Sequence, residues 1–178
     1  MQRSRIVQLV VLVGLAALLA GALGGLAFVK SGLFNAGASK PHTRFTEWVT
    51  HETMIHSVRS HAKGITPPAR FTAGQVAAGF CRYQARCTAC HGAAGVPRET
   101  WASGLEPSPP YLLDAADKWR PRELFWIVKN GIKMTAMPSW RSELSDAEIW
   151  DVVAWIEASR RLPPQTYAEW RDGRRCAA

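Results

Sequence analysis

The sequence predicts an all-α protein: one N-terminal helix of membrane length, then a small helical domain. Three observations carry this reading. Residues 6–29 contain no charged side chain, and as a helix they rise about 36 Å, more than the roughly 30 Å of a hydrocarbon core. Beyond residue 44 the apolar residues recur at helical spacing, and several of these runs open on capping signals. No segment offers a competing strand pattern.

The elements follow in order. The apolar run is flanked by Arg3, Arg5 and Lys30. Ala20-Gly21-Ala22 has the look of a cleavage site, but a cleavable signal has a shorter apolar core of about 7–15 residues, so residues 1–29 are expected to stay as an uncleaved anchor. Flanking charge does not orient it, because Lys30, Lys40 and Arg44 balance Arg3, Arg5 and the amino terminus. Gly21 and Gly25 form a GxxxG, which in so Gly- and Ala-rich a span reads as composition. Residues 30–69 are expected to hold a linker and a juxtamembrane amphipathic helix over 45–62, with Phe45, Trp48, Val49, Ile55 and Val58 near one face and a break at Gly64 and Pro67-Pro68. His51, His56 and His61 lie on that helix. A step of five residues turns about 140°, so the three point in different directions instead of forming a pair three or four apart.

Residues 70–162 are expected to form the folded domain. Val76, Phe80, Tyr83 and Cys87 lie at helical intervals. Pro121 opens a helix that Gly131 closes, with Leu124, Phe125, Ile127 and Val128 on its apolar side. Ser145-Asp146-Ala147-Glu148 is a capping box, followed by the stripe Ile149, Val152, Val153 and Ile156, and Pro163-Pro164 stops that helix. Residues 163–178 read as a C-terminal tail. Within it Tyr167 and Trp170 are positioned to pack back, and Arg171, Arg174 and Arg175 are solvated.

The chain has 178 residues, 22 Lys+Arg against 14 Asp+Glu, and a net charge of +8. Its basic residues are scattered, which argues against a nucleic-acid tract and for an acidic docking face or anionic headgroups. Four cysteines are too few for a disulfide scaffold in a chain of this length. Two of them carry the most specific signal, Cys87-Thr88-Ala89-Cys90-His91. In this CxxCH, positions i, i+3 and i+4 share one face of a helical turn. Two thiols there can add across the two vinyl groups of one haem, and the imidazole falls under the iron. A zinc site would want a second ligand cluster, and Cys81 and Cys176 form no CxxC. A thioredoxin-like pair would follow a strand, whereas the preceding residues here read as a helix.

One CxxCH implies one covalent haem c, with His91 as the first axial ligand. A sixth ligand is available in the loop Gly131-Ile132-Lys133-Met134-Thr135-Ala136-Met137-Pro138, since a thioether favours ferrous iron and raises the reduction potential. Spacing alone leaves Met134 and Met137 equivalent. Cys81 and Cys176 are left over: they pair, or Cys81 is a small buried residue of its helix.

From about Val58 to Trp155 the sequence resembles a membrane-anchored class I cytochrome c of the bacterial monohaem type. The likeness lies in the Ser57–Ile65 segment, Gly79, Tyr83, the CxxCH followed by Gly92, Pro109-Pro110-Tyr111-Leu112, Glu123-Leu124-Phe125-Trp126 and the Met137-Pro138 loop. The resemblance implies that Met137, before proline, is the sixth ligand. It also implies that the carbonyl of Pro110 accepts a hydrogen bond from His91, that Pro110 and Leu112 line the haem pocket, and that Gly79 lets the first helix cross the last at Trp155. Cys81 departs from the pattern.

The implied function is a one-electron carrier, not an enzyme, tethered to the inner membrane with its haem domain on the periplasmic side. It would work between a redox-protein donor and acceptor, with membrane oxidoreductases as partners and no small-molecule substrate. Two alternatives stand beside it. One is a haem sensor or peroxidase-like protein whose sixth ligand is labile, with His51, His56, His61 or Met134 available for switching. The other is the cytochrome subunit of a larger membrane complex.

Overall fold

A computed structural model describes residues 2–115, 117–160, 162–173 and 176. The chain divides into two compact units, Met1–Lys40 and Pro41–Ala178.

The first unit is dominated by α1, Gln2–Lys30. Leu12, Leu18, Leu23 and Leu26 are each more than half exposed, and the helix is apolar all round. It is long and apolar enough to cross a membrane, a property that a signal sequence near the N-terminus shares.

The second unit begins with α2, Arg44–His61, capped by Thr43, whose hydroxyl accepts from the Thr46 N–H at 3.2 Å. Phe45 and Trp48, expected on its buried face, are exposed and lie against each other with ring centroids 6.1 Å apart. Of the expected face only its C-terminal part is covered, Val58 fully buried and Ile55 half-buried, joined by the fully buried Ala62 and the half-buried Met54. The physical reason is local: α2 packs through its C-terminal half on a second helix, where the His61 ring lies 5.7 Å from that of Trp126.

The framework is a crossing of α3, Ala73–Arg86, with α7, Asp146–Ser159. Each opens on a capping box, Thr72 with Gln75 and Ser145 with Glu148, which satisfies two otherwise orphaned N–H groups at each end. Gly79 is where the backbones touch. A Cβ there would lie 1.8 Å from the Asp151 carbonyl oxygen and 2.9 Å from the Trp155 Cβ, so no other residue fits. Arg82 fastens the crossing to Glu148 at 3.1 Å and Asp151 at 3.3 Å.

Between these helices come α4, Thr88–His91, a 3-10 turn at Thr100–Gly104, α5, Leu112–Ala115, and α6, Pro121–Asn130. Pro121 sits in the first turn of α6, where its missing N–H costs nothing, and Gly131 caps the end at φ 66°. Among the described residues the extended backbone amounts to one isolated bridge, Ala93 with Val96.

Pro163-Pro164 ends α7 as expected, but Pro164 also opens α8, Pro164–Asp172. The tail is thus part of the core. Tyr167 is 1% exposed, its hydroxyl donates to Gln84 Oε1, and its ring joins Phe80 at 5.7 Å beside Trp155 and Trp170. Cys81 and Cys176 form a disulfide that ties the segment after α8 back to α3. Arg171 is exposed, while Arg174 and Arg175, read as solvated, lie outside the described residues.

Candidate haem site

Cys87, Cys90 and His91 are brought to one cavity by a four-residue helical turn. Cys87 ends α3, and α4 is a single turn in which the His91 N–H donates to the Cys87 carbonyl at 2.9 Å. That turn is fastened on both sides. The Thr88 hydroxyl donates to the Tyr83 carbonyl at 3.3 Å, and the Tyr83 hydroxyl donates to the Gly92 carbonyl at 2.7 Å. Gly92 has φ 63°, and a Cβ there would lie 2.7 Å from the Tyr111 ring. The Tyr83 hydroxyl is held far above its ordinary range, first by burial, so it serves as a neutral donor.

The cavity measures about 350 Å³. His91 is 9% exposed, and its Nδ1 donates to the Pro110 carbonyl at 2.8 Å. A carbonyl only accepts, so the Nδ1 carries the proton and Nε2 keeps a free lone pair. Burial pushes the imidazole below its usual range, opposed by the Pro110 bond and aided by the Arg98 guanidinium, which favours the neutral form. Burial also pushes the Cys87 thiol up to about 12, with Arg86 opposing and Cys90 adding. Both Cys87 and Cys90 are free thiols. Pro110 and Leu112 line the same cavity. Tyr111, between them, is more than a third exposed, with the Arg98 guanidinium 4.2 Å over its ring.

The opposite contribution comes from the loop after α6. Gly131 begins it, and a Cβ at that position would lie 2.7 Å from the Met137 carbonyl oxygen and 2.6 Å from the Pro138 carbonyl carbon. The Ile132 N–H donates to the Met137 carbonyl at 3.2 Å, and the Met137 N–H donates to the Thr135 hydroxyl at 3.1 Å. The Ser139 hydroxyl anchors the exit on the Lys129 carbonyl at 2.8 Å. The result separates the two methionines: Met137 lines the cavity, whereas Met134, at φ 59°, is 92% exposed.

The remaining walls include Trp119, Leu124, Ile127, Val128, Trp140, Val152 and Ile156, with the exposed Arg86 also lining the cavity. Two α2 residues also line it: His51, which the sequence offered only as one of three interchangeable switching histidines, and Met54, which sequence reasoning missed. Their signal is the spacing 51, 54, 58 and 62, which extends the buried stripe of Val58 and Ala62 toward the helix start.

The donor set fits a covalently held haem: two free thiols three residues apart, an imidazole whose second nitrogen is engaged, a thioether, and apolar walls. A haem bound here supplies an iron that cycles between Fe(III) and Fe(II). The fold and this site define a class I c-type monohaem cytochrome. In agreement, residues 74–156 match the family described as cytochrome C oxidase, cbb3-type, subunit III, which supports a c-type cytochrome domain with one covalent haem c. No curated protein matches the chain.

Proposed function

We propose that the protein is a membrane-anchored one-electron carrier whose iron is held by His91 and Met137, with Cys87 and Cys90 carrying the haem. One observation carries the reading: His91 and Met137 border the same apolar cavity as the two thiols, while Met134 faces solvent. An iron with both axial positions filled by protein has no open site for substrate, so transfer of single electrons is the chemistry left to it. The Pro110 bond fixes the His91 tautomer and makes its free nitrogen a better donor.

The helix α1 serves as the tether and keeps the haem domain close to membrane oxidoreductases, raising its effective concentration there. The Cys81–Cys176 disulfide supports the oxidising periplasmic side of the inner membrane as the domain's location. The basic balance steers it to an acidic face on its donor and acceptor. The test of ligation is optical. The oxidised protein should be low-spin with the weak methionine–iron band in the far red, and Met137→Ala should abolish that band. An unchanged spectrum in the variant would refute the assignment.

A second reading is favoured by the description of the matched family: the chain as the cytochrome subunit of an oxidase complex. Copurification of other subunits after gentle detergent extraction supports it, and a solitary active cytochrome supports the free carrier.

A further inference from the structure

The three histidines of α2 have separate fates. His56 Nε2 lies 3.6 Å from Glu52 on an exposed face. His61 Nδ1 donates to the Ser57 carbonyl at 2.8 Å, with its ring against Trp126. His51 makes no hydrogen bond or ion pair among the described residues, and it lines the haem cavity together with Met137 and His91. His51 is itself exposed, but it shares a helix face with the half-buried Met54 and the buried Val58, three and seven residues on. The rest of that stripe is anchored on α6, so the position of His51 at the cavity is set by packing and not by a free loop.

Met137, which lines the same cavity, is held by a loop that opens on a positive-φ glycine, and Met137 itself is only partly buried. A thioether is a weak ligand for ferric iron, and a neutral imidazole is a strong one. We propose that His51 is a reserve axial ligand: when the Met137 sulfur leaves the iron, the His51 imidazole takes its place and converts His/Met ligation into bis-histidine ligation. One Fe–S bond breaks and one Fe–N bond forms. The iron keeps its oxidation state, and His51 binds as the neutral ring, so no oxidant or reductant is consumed. This inference rests on the His91/Met137 reading above.

The test uses the full-length holoprotein in detergent and four variants: His51→Ala, Met137→Ala, the double variant, and Met137→Ala with Met54→Leu. His51→Ala should keep the parent spectrum, showing that fold and haem attachment survive. Met137→Ala should lose the methionine–iron band yet stay low-spin, with an electron paramagnetic resonance spectrum of the bis-histidine type. It should also bind carbon monoxide slowly when reduced. The double variant should lose the low-spin signal and bind carbon monoxide at once. The Met54→Leu pair should behave as Met137→Ala alone. A high-spin Met137→Ala, or a double variant that stays low-spin, overturns the role of His51. Loss of the low-spin signal in the Met54 pair would hand the role to Met54. If Met137→Ala leaves the parent spectrum unchanged, the primary ligation itself has failed, a distinct outcome.

Discussion

The two walls of the cavity are built on different terms. The His91 wall is a single helical turn with a backbone bond, two hydroxyl bonds and an imidazole bond to Pro110, all in or around a buried segment. The Met137 wall is a loop closed by three internal bonds among Ile132, Thr135 and Met137 plus an anchoring serine, with Met134 in solvent beside it. One wall is pinned by many groups that cannot move separately. The other carries Met137 on a largely exposed loop whose bonds are mostly internal to it, and His51 borders the same cavity. Under the proposed His91/Met137 ligation, a redox centre built this way would keep its cofactor while leaving one coordination position adjustable.

The strongest blow to this contrast falls on the pinned wall. Cys90→Ser together with His91→Ala should abolish covalent haem, read as loss of haem-stained protein after denaturing electrophoresis; retained staining would disprove the attachment site. Next comes Met137→Ala, which should keep the haem attached but lower the midpoint potential and remove the methionine–iron band, as redox titration with optical detection will show. Gly131→Val should act on the same wall from a distance: at φ 66° a β-branched residue costs on the order of 1–3 kcal/mol, so the band should weaken while haem attachment is intact.

A smaller effect is expected for Tyr83→Phe. It leaves the Gly92 carbonyl without its donor, at about 1–2 kcal/mol in denaturant unfolding of the holoprotein, with the spectrum unchanged. The smallest concerns α7, which supports both walls. Glu148 is held down to about 2, chiefly by the Ser145 N–H and hydroxyl and then by Arg82. Its folded-state value is depressed, so its contribution is complete above the unfolded value near 4.5 and fades as pH falls toward 2. Glu148→Gln should flatten the fall in thermal stability across that acid window, and a parallel fall in both proteins would contradict the cap.

Much of the molecule was legible because its signals are local. The capping boxes at Thr72 and Ser145, the proline that opens α6 and the CxxCH turn each involve residues within four positions of one another, so short-range sterics and hydrogen bonding decide them. The close crossing at Gly79 was expected only through family likeness, and the Asp151 carbonyl at its Cα explains it. Phe45 and Trp48 misled because a helical stripe says which residues share a face without saying how much of that face is covered. Pro164 misled because a proline that stops one helix is also suited to start the next.

The sequence by itself determined the covalent chemistry, the membrane-length helix and the helical class, since spacing along one chain is enough to put two thiols and an imidazole on one turn. Spacing alone left the two methionines equivalent and only the family likeness pointed to Met137; the tertiary structure decided which of three evenly spaced histidines meets the cavity, and that Cys81 finds Cys176. Those outcomes depend on which surfaces distant elements present to each other, and that is set by packing across the core, where neighbours in space are far apart along the chain.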